Sequence, residues 1–166
     1  MFEKAFKNII SYEGGFVNDK DDKGGKTKYG ITEYLARAYG YEGDMKDFSS
    51  SKAKEIYYKE FWANNYCPKF NNYKVAFELF EQAVNMGNHQ AIKHLQQSYN
   101  LLSTRDIVVD GIMGSNTLSA VNGVENYDRL YKIMNCKQAS YYIELAEKDE
   151  TQEKFLFGWL NKRVDV

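Results

Sequence analysis

A single proline, Pro68, stands in a chain of 166 residues. Proline removes a backbone donor and breaks helix interiors, so its near absence leaves long stretches open to helix formation. Apolar spacing uses that freedom. Phe2, Ala5, Phe6, Ile9 and Ile10 recur at helical intervals and predict a first helix ending near Gly14 or Gly15. Thr32 is placed to cap a short helix running to about Gly40, and the Ser49 to Ser51 cluster another with Ala53, Ile56, Tyr57 and Phe61 inward. Ala76, Leu79, Phe80, Ala83, Val84 and Gly87 predict a strongly apolar central helix. Asn88 is then read as the cap of a helix with Ala91, Ile92, Leu95 and Tyr99 inward. Asp110-Gly111 marks a reversal within residues 108–114, and Ser115 is read as the cap of a short helix beyond it. A long helix from about Asn126 to Lys148 and a terminal one over Gln152 to Arg163, with Trp159 inward, complete the pattern. The fold class is mainly α, with a small β-hairpin or irregular element near residues 16–31, where glycine and polar residues interrupt the periodicity.

Composition excludes several functions. The net charge is −1 and neither half is strongly basic, whereas phosphate binding needs a clustered cationic surface, so no nucleic-acid partner is expected. No apolar run reaches membrane-spanning length, so no membrane insertion is expected. His89 and His94 lie five apart, which does not put two ligands on one helix face; no metal and no cofactor are expected. Cys67 and Cys136 are read as two free, buried thiols rather than a disulfide framework. Fourteen tyrosines suit core packing and sugar contact alike. A monomer is expected.

One residue sits awkwardly. Glu13 falls four after Ile9 and seven after Phe6, on the buried stripe of the first helix. Burial penalises a carboxylate, and a helix C-terminus disfavours negative charge. Both favour the protonated form, which is what a general acid for glycoside cleavage needs near neutral pH. The competing reading pairs Glu13 with Lys26 or Lys28 or turns it to solvent. Glycoside hydrolysis also calls on a second carboxylate, and the following loop offers Asp19, Asp21 and Asp22 among glycines.

The run EGGFVNDKDDKGGKTKYGIT, Glu13 to Thr32, resembles the opening signature of the glycoside hydrolase 108 family of N-acetylmuramidases, members of which are also labelled secretion activator proteins. Lys20 and Lys23 stand where proline is common in that pattern. LFEQAVNMGNHQAIKHLQQSYN (Leu79 to Asn100) resembles its second block, with Glu81 where Asp is common. VDGIMGSNTLSAV and FLFGWLNKRV resemble its peptidoglycan-binding C-terminal segment.

The resemblance implies a lysozyme-like helical fold that cuts the β-1,4 bond between N-acetylmuramic acid and N-acetylglucosamine, with peptidoglycan glycan strands as the partner. Glu13 matches the catalytic acid. Asp22 keeps the interval of phage-type lysozymes and is implied as a water-orienting or charge-stabilising group; Thr27 comes one residue early for the third position. Tyr29 and Gly30 are expected at the cleft floor, with a core role for Tyr29 as the competing reading. Asn85 is expected either to bind an acetamido group or to bond a neighbouring helix. Asp110, Gly111 and Gly114 are read first as a connecting turn and second as a wall-binding one. Residues 1–86 are expected to form the catalytic segment and 87–166 the wall-binding segment, packed into the same globular unit. Action on the cell wall, in the periplasm or outside the cell, is expected. The opening residues carry charges throughout and no apolar signal core. A holin-like or specialised export route, or a leader this chain lacks, is therefore expected. Two other activities share these residues: a non-catalytic peptidoglycan-binding or secretion-associated module, and a lytic transglycosylase.

Overall fold

The computed structural model describes residues 1–12 and 26–165. It is mainly α with one two-stranded antiparallel hairpin among the described residues, as the periodicity predicts. Two compact units divide the chain, Met1–Ala63 and Asn64–Val166.

In the first unit, α1 (Phe2–Tyr12) buries Ala5, Phe6 and Ile9 along the expected stripe. Its expected end at Gly14 or Gly15 lies outside the described residues. Phe2 meets Tyr58 at 5.1 Å and Trp62 at 5.7 Å between ring centroids, and Phe6 meets Tyr57 at 5.6 Å. Strands β1 (Thr27–Lys28) and β2 (Ile31–Thr32) pair Thr27 with Thr32 and Lys28 with Ile31. Helix α2 (Glu33–Ala38) starts where Thr32 Oγ1 accepts the Leu35 N–H at 3.2 Å. Helix α3 (Ser50–Ile56) starts on Ser49, whose hydroxyl accepts the Lys52 N–H.

Beyond Ile56 the chain widens into a π-helical turn, Tyr57–Ala63. The sequence reading continued an α-period here and placed Phe61 inward. With hydrogen bonds reaching five residues, the wider turn instead brings Trp62 onto the line of Tyr57. Both are buried, and Phe61 is only half-buried.

The second unit is built around α4 (Tyr73–Met86), packed against α5 (Asn88–Asn100) and α7 (Tyr127–Lys148). Its cap is Asn72, whose side chain accepts the Val75 N–H at 3.2 Å. Leu79 and Phe80 are fully buried, each contributing roughly 1.5–3 kcal/mol. Two expected caps are displaced by one residue. Helix α5 is capped by Gly87, whose φ of 85° favours glycine, while the Asn88 side chain takes the Asn65 amide at 2.7 Å. Helix α6 (Ser115–Asn122) is capped by Gly114, not Ser115. Asn126 caps α7 as expected, and α8 (Glu153–Arg163) follows a short 3-10 turn. Trp159 is half-buried rather than core, stacked between Tyr142 at 5.0 Å and Phe155 at 5.9 Å. Both cysteines are free; Cys67 is buried, but Cys136 is exposed because it lies on the outer face of α7.

The Asp110-Gly111 reversal is held from within. Gln96 donates to Asp110 Oδ1 at 2.8 Å and accepts the Gly111 N–H at 2.9 Å. Gly111 has φ 71°, and a Cβ there would fall 2.5 Å from the His89 ring. These contacts fit a connecting turn.

The core of this unit also contains a polar line. Gln82 Nε2 donates to the Met134 carbonyl at 3.0 Å and to Glu78 Oε1 at 2.7 Å, which turns its Oε1 toward His94 Nδ1 at 2.8 Å. His94 therefore carries its proton on Nδ1 and accepts Gln90 Nε2 at 2.8 Å through Nε2. Burial, then Lys137, lowers the His94 pKa to about 4. Burial raises the Glu78 carboxyl to about 8, aided by the Glu81 and Asp165 charges and opposed by bonds from Gln82 and Asn135.

These shifts act on stability with opposite signs. His94 favours the folded state above the unfolded value of 6.5 and loses that contribution toward pH 4. Glu78 favours it below 4.5 and loses that contribution as pH rises to about 8. Between 6.5 and 8 the Glu78 effect stands apart from that of His94. Thermal melts over that range should show a fall of up to about 2 kcal/mol, or roughly 4–8 °C, that Glu78→Gln removes. Equal slopes in wild type and variant would contradict a buried, protonated Glu78.

Candidate active site

The described part of the predicted catalytic block is the hairpin. Its two-residue turn is Tyr29-Gly30, with φ of 52° and 71°, both positive as a type I′ turn requires. Such turns usually carry Asn, Asp or Gly, and a bulky residue at positive φ costs on the order of 1–3 kcal/mol. The turn is restrained from outside, since the Tyr57 hydroxyl donates to the Tyr29 carbonyl at 3.0 Å. Lys28 Nζ donates to the Lys46 carbonyl and lies 5.6 Å from the Tyr29 ring centroid. Thr27 is half-buried in β1, directly across from Thr32.

Tyr57 links the hairpin to α1: its hydroxyl holds the turn while its ring packs on Phe6. The two stretches flanking residues 13–25 are thus tied to one buried side chain. Glu13 and Asp22 themselves, with Asp19 and Asp21, lie outside the described residues. A surface depression lined by Phe2, Lys54 and Tyr58 sits at the N-terminal end of α1.

Asn85 lies in the second unit, half-buried near the end of α4. Its Nδ2 donates to the Glu81 carbonyl at 2.7 Å and to Glu81 Oε1 at 2.6 Å. Glu81 is itself buried, taking Gln138 Nε2 on Oε2 at 2.6 Å and an Arg163 nitrogen on Oε1 at 3.1 Å. Burial raises its pKa, and Arg163, Gln138 and Asn85 oppose that rise. Sequence reasoning noted Glu81 only as a departure from the family pattern and missed this cluster. The signal was present: Glu78, Glu81, Gln82 and Asn85 recur at helical spacing inside an otherwise apolar helix.

Among the described residues no group of three or more His, Cys, Asp or Glu side chains could hold a metal ion, and no helix is long and apolar enough to cross a membrane.

The architecture has known relatives. The solved structure of Brucella abortus SagA is similar to this chain, with a TM-score of 0.78 and 26% identity, covering 97% of this chain and 88% of that one. The fold is thus the mainly α, lysozyme-like class. Residues 6–87 match the family model described as Glycosyl hydrolase 108, and residues 90–164 match the one described as Predicted Peptidoglycan domain. The chain therefore carries a glycosyl hydrolase 108 domain followed by a peptidoglycan-binding domain. No curated protein sequence matches it. These matches support a peptidoglycan-acting glycosidase working outside the cytoplasm, with peptidoglycan as its partner.

The Tyr29 turn separates a core role from a sugar-contacting one. Asn tolerates positive φ, so Tyr29→Asn should keep or slightly raise the melting temperature while reducing cell-wall turnover. A melting temperature lowered by more than several degrees would mean the ring is needed for packing.

Proposed function

We propose that this protein is an N-acetylmuramidase that hydrolyses the β-1,4 bond between N-acetylmuramic acid and N-acetylglucosamine. Glu13 protonates the leaving oxygen as general acid. Asp22 orients the attacking water or stabilises the positive charge developing on the sugar ring, and Thr27 assists it. Tyr29 and Gly30 form part of the cleft floor, and Asn85 contacts an acetamido group. Residues 1–86 supply the catalytic segment and 87–166 the wall-binding segment.

The observation that carries this reading is the run Glu13 to Thr32 inside the glycosyl hydrolase match over residues 6–87. Its described end folds as a hairpin fastened to the helix that precedes Glu13. In the sequence Glu13 continues the Phe6 and Ile9 spacing, a position at which burial would favour the protonated form.

Glu13→Gln tests the assignment, because the amide keeps the shape and cannot donate the proton as an acid. Release of reducing ends from purified cell walls should fall by about 10²–10⁴-fold, with the melting temperature unchanged. Undiminished release would remove Glu13 from the mechanism. Wall binding by the wild type with no release of sugar termini would favour a non-catalytic module.

A further inference from the structure

Asn85 is assigned above to an acetamido group, and the inference here rests on that reading. An Asn side chain offers two N–H donors and one carbonyl acceptor. Both donor positions of Asn85 are directed to Glu81, one to its backbone carbonyl at 2.7 Å and one to Oε1 at 2.6 Å. Glu81 cannot reverse that arrangement, because Gln138 and Arg163 also approach its carboxylate as donors. A carboxylate receiving only N–H groups accepts from all of them. The Asn85 amide is therefore fixed with nitrogen toward Glu81, and what it has left to offer a ligand is Oδ1.

We propose that Arg163, on the last helix, and Glu81 are positioning residues that orient the Asn85 amide, so that Oδ1 accepts the N–H of a substrate acetamido group. The specificity of the site is then for an amide donor. A free amine made by removing the acetyl group changes both the charge and the direction of that contact. Arg163 lies in the segment matching the peptidoglycan-binding model, and Asn85 in the segment matching the hydrolase model. The C-terminal helix thereby acts on sugar recognition without touching sugar.

The test measures binding rather than turnover. Peptide-free glycan strands, native and chemically de-N-acetylated, are titrated into the Glu13→Gln protein, and the ratio of the two affinities is compared across variants. Asn85→Ala should lower the preference for acetylated strands about three- to tenfold, the usual worth of one neutral hydrogen bond. Arg163→Gln should lower it by a similar factor, and the double variant should be no worse than either single one. Arg163→Lys retains a charge beside Glu81 while losing the planar fork, and gives an intermediate preference; it serves as the second variant if Arg163→Gln does not fold.

A general loss of stability would weaken binding to both strands alike and leave the ratio unchanged. If Asn85→Ala lowers the ratio and the Arg163 variants do not, the positioning role is wrong and the Asn85 assignment stands. If Asn85→Ala leaves the ratio at the wild-type value, the Asn85 assignment fails and the positioning role fails with it. Release of reducing ends in the Glu13→Gln background would separately mark failure of the acid assignment.

Discussion

Glu81 is a carboxylate that is only 4% exposed, and a charge there is tolerable only while its donors remain in place. The donors come from three helices: Asn85 on α4, Gln138 on α7 and Arg163 at the end of α8. Helix α8 has no fully buried residue of its own, so little apolar area fastens it. Its attachment uses the Arg163 pair, the Trp159 stack on Tyr142 and the Asp165 N–H donated to Asn135 at 2.7 Å. Removing one member of a buried pair strands the other, typically at about 3–5 kcal/mol. The second unit therefore closes around one buried carboxyl group, and the helix that a family model places at the end of the hydrolase segment is held by the segment that follows.

The first unit depends on a neutral contact of the same kind. Tyr57 fills the space beside Phe6 with its ring and spends its hydroxyl on the carbonyl of Tyr29. A residue that must be buried and must also reach a turn constrains the backbone around it. The π-helical widening after Ile56 satisfies both, placing Trp62 inward as well. The proposed catalytic groups Glu13 and Asp22 thus stand in sequence between a packed helix and a restrained hairpin.

Much of this was legible in the residues. Thr32, Ser49 and Asn126 cap where their side chains and the following apolar spacing place them. The α1 stripe and the central α4 follow from period alone. What was not legible depends on partners distant in sequence. The π turn breaks the period that any window would extend, so Phe61 and Trp62 exchanged places. The caps at Asn88 and Ser115 moved by one residue because Gly87 and Gly114 take the flanking backbone positions. Glu81 read as an oddity, since its partners Gln138 and Arg163 lie 57 and 82 residues away. On the site, Thr27, Tyr29 and Gly30 share the hairpin, Asn85 stands on α4 in the second unit, and Glu13 and Asp22 rest on the motif.

A glycosyl hydrolase domain joined to a peptidoglycan-binding domain leaves one chemical question above the others: which bond is cut, and whether water enters the product. Mass spectrometry of the soluble fragments from purified, peptide-trimmed peptidoglycan answers both at once. Hydrolysis by a muramidase gives fragments ending in reducing N-acetylmuramic acid, each heavier by one water than the anhydro form. Fragments ending in 1,6-anhydro-N-acetylmuramic acid, or in reducing N-acetylglucosamine, would contradict it.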